Sequence, residues 1–181
     1  MQLMKLALVT GLAVVIGGTS AYALTVKKKR DAPGDPEEVW ALIGDFCAIK
    51  DWHPAVAQCE ETKEGDVTYR TLTLKDGGKI KEKLTGTEDT SYSYEIVESP
   101  LPVKNYKATL SVEEDEDSPD RSEVEWEATF DANGASDEDA QKAIAGIFED
   151  GVKAIKAQAI AAYDAKHPDA KPEGDDDQDS K

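Results

Sequence analysis

Three small groups of side chains in this sequence have the types and spacing to do chemistry. The first is an acid–base set. In Lys79-Ile80-Lys81-Glu82-Lys83-Leu84, strand alternation puts the three lysines on one face and Ile80, Glu82 and Leu84 on the other. Glu82 is therefore a carboxylate on an apolar face, which must be paired or see its pKa rise. Arg70, in the preceding strand pattern, is the expected partner. Such a pair can act as acid and base in a cavity, or it can simply hold a hairpin together, and the structural role is the favoured one. His53, between Trp52 and Pro54, is the other acid–base group, read as a structural hydrogen-bonder; His167 lies near the C-terminal end. No Ser-His-Asp order, His cluster, Gly-rich phosphate loop or EF-hand spacing occurs, so an enzyme is not expected.

The second group is a set of carboxylates, Glu113, Asp115, Asp117, Glu123 and Glu125. Hard cations such as Ca²⁺ or a trivalent lanthanide take several oxygen ligands, mostly carboxylates, and this set would supply about four. A large cation held this way keeps open positions, which a second copy would fill to give a metal-linked homodimer. The alternative is an exposed face selected only for solubility.

The third group is Cys47 and Cys59. In an oxidising compartment they can be bridged, which would stabilise the fold by roughly 2–4 kcal/mol. Otherwise they are two buried thiols packing as small apolar groups. Neither has the neighbours of a metal ligand or a catalytic thiol.

Composition narrows the partners. The chain has 21 basic and 38 acidic residues and a net charge of −17. Such a field disfavours nucleic acid and anionic membranes and favours basic protein surfaces and hard cations. Residues 1–23 read as a signal peptide, with Lys5, the apolar run Leu6–Gly18 and the small-x-small site Ala21-Tyr22-Ala23. The run is short for spanning a bilayer, so the expectation is export to the periplasm with no membrane attachment after cleavage. Residues 24–166 are expected to form one domain, and residues 167–181 an acidic disordered tail.

The elements that must position these groups follow from the pattern. Asp35 caps a helix that begins at Pro36 and stops after about two turns at Gly44-Asp45, and a second helical turn ends at His53-Pro54. Strands are expected at Leu24–Arg30, Val56–Glu61, Val67–Leu74, Lys79–Thr87, Tyr92–Glu98, Asn105–Glu114 and Arg121–Asp131. A tight turn at Asp76-Gly77-Gly78 would set Leu72 near Glu82 and Arg70 diagonal to it. On the last strand Val124, Trp126, Ala128 and Phe130 share one face, leaving Glu123, Glu125 and Glu127 on the wet one. Pairing with the strand before places Glu113 near Glu123, a repulsion that asks for a reason. Ser136 caps a long helix whose stripe, including Ile144, Phe148, Val152 and Ile155, packs into the sheet.

A strand, two small helices, a run of antiparallel strands and a long helix resemble the START/Bet v 1-like (SRPBCC, polyketide cyclase/dehydrase-like) superfamily. The resemblance rests on Val39-Trp40, Trp52-His53-Pro54-Ala55-Val56, Asp76-Gly77-Gly78, Glu82, Tyr92-Ser93-Tyr94-Glu95-Ile96 and Pro100-Leu101-Pro102. It implies an α+β helix-grip fold, a curved sheet wrapped around the C-terminal helix with a cavity between them. Trp40, Trp52, Tyr94, Trp126 and Phe148 would line that cavity, with His53, Arg70 and Glu82 as its polar groups. Exported members in methylotrophic bacteria look similar in the Trp-His-Pro segment and the glycine hairpin. That likeness implies a non-catalytic periplasmic protein trafficking a lanthanide or calcium ion. The alternatives are an accessory factor docking on a periplasmic methanol dehydrogenase and a carrier of a small apolar ligand.

Overall fold

The computed structural model describes residues 23–116 and 118–169. The proposed leader up to residue 22, the tail beyond residue 169 and Asp117 lie outside the described residues. No helix among the described residues is long and apolar enough to cross a membrane.

The chain opens with β1 (Leu24–Pro33), then α1 (Pro36–Ile43) and α2 (Ile49–Trp52). The strands β2 (Val56–Glu64), β3 (Val67–Leu74), β4 (Lys79–Glu88), β5 (Ser91–Glu98), β6 (Val103–Asp115) and β7 (Ser118–Ala132) follow, and α3 (Asp137–Lys166) closes the fold. All neighbouring strands are antiparallel, in the order β1-β7-β6-β5-β4-β3-β2. The first two strands in sequence therefore form opposite edges, and the α1–α2 segment carries the chain from one edge to the other. This is the helix-grip architecture: one curved antiparallel sheet around a long helix.

Local chemistry sets the helix ends. The Asp35 side chain accepts from the Glu38 backbone N–H at 2.8 Å, with Pro36 in the first turn. Ser136 caps α3 by accepting from the Asp139 N–H at 3.1 Å. The inward faces of β6 and β7, namely Tyr106, Ala108, Leu110, Val112, Val124, Trp126, Ala128 and Phe130, are buried against Ile144, Phe148, Val152 and Ile155 of α3. Gly151 makes this contact intimate. A Cβ there would lie 2.5 Å from the Trp126 ring, so only glycine lets the helix seat against the indole, which stacks on Phe148 at 4.3 Å.

Two local expectations are corrected. Most strands run longer than the pattern suggested, because pairing partners carry the ladder beyond the apolar alternation. The β3–β4 turn also sits one residue earlier than Asp76-Gly77-Gly78, looping through Lys75, Asp76 and Gly77. The Leu74 N–H bonds the Gly78 carbonyl and the Gly77 N–H bonds the Leu74 carbonyl, with Gly77 at φ +91°. The register therefore shifts, so that Arg70 faces Glu82 and Leu72 faces Ile80.

Candidate functional site: a cavity between sheet and helix

A cavity of about 260 Å³ lies between α3 and the concave face of the sheet. Its deep walls are the buried side chains of Leu72, Ile80, Tyr94, Trp126, Ile144 and Phe148. Toward solvent it is bounded by the exposed Ala55 and Asp76 and the half-buried Ile96, Leu101 and Ile147. The mouth thus sits beside the β3–β4 turn and the corner between β5 and β6.

Glu82 is the buried carboxylate of this cavity, 4% exposed. A bulge between Lys81 and Glu82 sets it opposite Ile96 on β5 while it still faces Arg70 on β3. Arg70 donates from Nε to Glu82 Oε2 at 2.5 Å. Its Nη1 donates to the Phe46 carbonyl and, at 3.4 Å, to the Tyr92 hydroxyl. The guanidinium lies 4.0 Å from the Phe46 ring centroid and 5.0 Å from that of Tyr94. Burial alone would lower the Arg70 pKa, but the charge of Glu82 more than offsets it and holds the guanidinium above its ordinary range. Burial likewise pushes the Glu82 carboxyl above its ordinary range, with Arg70 opposing the shift.

The phenols form a second polar group. Trp126 donates from Nε1 to the Tyr94 hydroxyl at 3.0 Å, and the Tyr94 and Tyr106 oxygens lie 3.5 Å apart. Burial raises the pKa of both phenols, so they stay neutral and keep their protons. His53 is fully used: Nδ1 accepts from the Ala55 N–H at 3.1 Å and Nε2 donates to the Ile147 carbonyl at 3.0 Å. That pattern fixes a neutral ring. Burial lowers its pKa, outweighing the Ile147 carbonyl and the charge of Asp150.

The expected cavity residues are therefore divided. Glu82, His53, Tyr94, Trp126 and Phe148 line the space, whereas Arg70 stands behind Glu82. Trp40 and Trp52 do not reach it. Trp40 packs on Tyr92 and covers Gly44, and the buried Trp52 sits edge-on to Trp126. Tyr106 and Asp76 were missed. Tyr106 was findable, since it shares its face with Ala108, Leu110 and Val112.

Cys47 and Cys59 form a disulfide, with Cα atoms 5.5 Å apart. It ties the connector between the two short helices to edge strand β2, directly after Phe46, whose carbonyl holds Arg70.

The acidic face has the register expected of it, with Glu113 opposite Glu123 and Ser111 opposite Glu125. Its repulsion is relieved from the other side, because β1 brings lysines against β7. Lys27 contacts Glu125 and Glu127, each at 2.7 Å, and Lys29 contacts Glu123 at 2.5 Å and Glu125 at 3.0 Å. Partial burial would raise the Glu125 pKa, but the two lysines outweigh it and hold it low. Within the set Glu113, Asp115, Glu123 and Glu125, this corrects the premise of uncompensated charge at Glu123 and Glu125. Among the described residues no three His, Cys, Asp or Glu side chains converge as a metal-holding group.

A seven-stranded sheet gripping a helix, with a largely apolar cavity between them, defines a helix-grip protein. Residues 23–159 match the polyketide cyclase/dehydrase and lipid transport family, and the chain belongs to it. It is similar to the protein XoxI from Bacillus cereus, at 35% identity over 77% of this chain and 97% of that one, with a TM-score of 0.71. An uncharacterized protein from Bacillus thuringiensis matches at 36% identity over 75% of this chain and 98% of that one, TM-score 0.69. The Zhui aromatase/cyclase from a Streptomyces species shares the fold, at 12% identity over 83% and 100% of the two chains, TM-score 0.58. No curated protein matches the sequence.

Proposed function

We propose that this protein is a non-catalytic, exported carrier of a small apolar ligand, held in the cavity between α3 and the sheet. The observation that carries this reading is the engagement of the cavity's acid–base groups. Glu82 is locked to a fully buried Arg70, and both nitrogens of His53 are held by backbone. Neither is poised to move a proton, while the walls around them are aliphatic and aromatic. The disulfide suits an oxidising compartment such as the periplasm.

The test is a fluorescence titration with 1-naphthol on wild type and on Ile96→Trp, which fills the space from a half-buried wall position. Saturable binding to wild type and its loss in the folded variant support the carrier. Equal binding to both proteins contradicts it.

A second reading is a calcium or lanthanide ion at Glu113, Glu123 and Glu125, favoured by the like-charged pair Glu113–Glu123 across β6 and β7. A cation there competes with Lys27 and Lys29 for the same carboxylates. A metal titration of thermal stability on wild type and Glu123→Gln/Glu125→Gln tests it: a shift confined to wild type supports the site.

A further inference from the structure

The cavity's polar groups also say which ligand it suits, an inference that rests on the carrier reading. Tyr94 and Tyr106 bring two hydroxyl protons, and the 3.5 Å gap between their oxygens takes one of them. The Tyr94 oxygen already accepts from Trp126. One phenolic proton is thus left for the cavity. Glu82 takes its hydrogen bond from Arg70 on Oε2, leaving Oε1 as an acceptor in the lining that also holds both phenols. An acceptor and a donor that face an apolar cavity are each costly to seal from water without a partner. One group satisfies both at once: a hydroxyl, which donates to a carboxylate while accepting from a phenol.

The charges act against ions. The lining contains the carboxylates of Glu82 and Asp76 but no lysine or arginine, because Arg70 lies behind Glu82 and turns the negative end of the pair inward. A ligand carboxylate would lose its water beside Glu82 with no cation to meet it. An ammonium would compete with Arg70 for the one carboxylate charge of Glu82 in a space too apolar to solvate either. The volume sets the size: about 260 Å³ exceeds the ~150 Å³ that accommodates benzene and falls short of the roughly 300 Å³ where pockets for drug-sized ligands begin.

We infer that the cavity takes a compact, uncharged, hydroxyl-bearing apolar molecule of about two rings, and rejects carboxylate lipids. The experiment compares 2-naphthol, 2-methoxynaphthalene and 2-naphthoate by calorimetry at neutral pH, on wild type, Tyr106→Phe and Asp76→Asn. The expected order is naphthol about tenfold tighter than the methyl ether, with naphthoate weakest. Tyr106→Phe should narrow the first gap. Asp76→Asn, which keeps an oxygen for the Gly78 N–H now bonded at 2.8 Å, should ease the second. Equal affinities for the three probes, or naphthoate binding tightest, overturn the inference while leaving the carrier intact. No binding by any probe overturns both.

Discussion

Glu82 and Arg70 face each other across β3 and β4, yet only the carboxylate reaches the cavity while the guanidinium is sealed behind it. Arg70 is 0% exposed and its Nη2 has no hydrogen-bond partner. Its hold on Glu82, on the Phe46 carbonyl and on the aromatic rings makes it a structural post between the α1–α2 connector and the sheet.

Removing one partner of such a pair strands the other charge. Glu82→Gln should lower unfolding free energy by about 3 kcal/mol. The double variant Arg70→Met/Glu82→Leu should recover much of that loss, since no buried charge remains. Denaturant unfolding of the three variants checks this, and a double variant less stable than Glu82→Gln would contradict the structural role.

The disulfide closes a short loop, with the two cysteines 12 positions apart. Protein produced in an oxidising compartment should show no titratable thiol when denatured. Cys47→Ser/Cys59→Ser should cost about 3 kcal/mol. Far-UV circular dichroism should be unchanged while the melting temperature falls.

His53 predicts a pH dependence of known sign. Its folded pKa lies below its unfolded value because burial disfavours the imidazolium and the Ala55 N–H needs a lone pair on Nδ1. The unfolded state therefore binds the extra proton first, and stability is lost as pH falls below about 6.5. The slope should approach ~1.4 kcal/mol per pH unit. His53→Gln should flatten it, as stability curves of the two proteins across that window would show.

The lysine ladder makes a prediction about cations. Lys27 and Lys29 hold Glu123, Glu125 and Glu127, so Lys27→Gln/Lys29→Gln should respond to a lanthanide with a larger rise in melting temperature than wild type. Without metal the same variant should lose only about 1 kcal/mol, as befits exposed pairs. Thermal melts with and without the ion decide both points.

Much of this was legible in the sequence because it is local. The alternation of Val124, Trp126, Ala128 and Phe130 fixed which face of β7 meets the helix, and Asp35 and Ser136 marked their helix starts. What was not legible depends on distant pairing. Nothing near Glu123 says that β1, about a hundred residues earlier in the chain, will lay Lys29 beside it. The Arg70–Glu82 register was misjudged because the turn centres on Asp76, one residue before Gly77, which takes the positive φ that closes it. Trp40 and Trp52 looked like cavity walls by residue type, but their places follow from how α1 and α2 seat, which helical spacing does not reveal.

The central claim is that the space between α3 and the sheet binds a ligand, and Trp126 is the probe built into it. Its indole N–H bonds the Tyr94 hydroxyl at 3.0 Å at the cavity wall. In a ¹H–¹⁵N NMR titration with 2-naphthol, the Trp126 indole resonance should shift saturably while that of Trp40, outside the cavity, stays in place. An unmoved Trp126 resonance, or equal shifts at both indoles, would contradict the account.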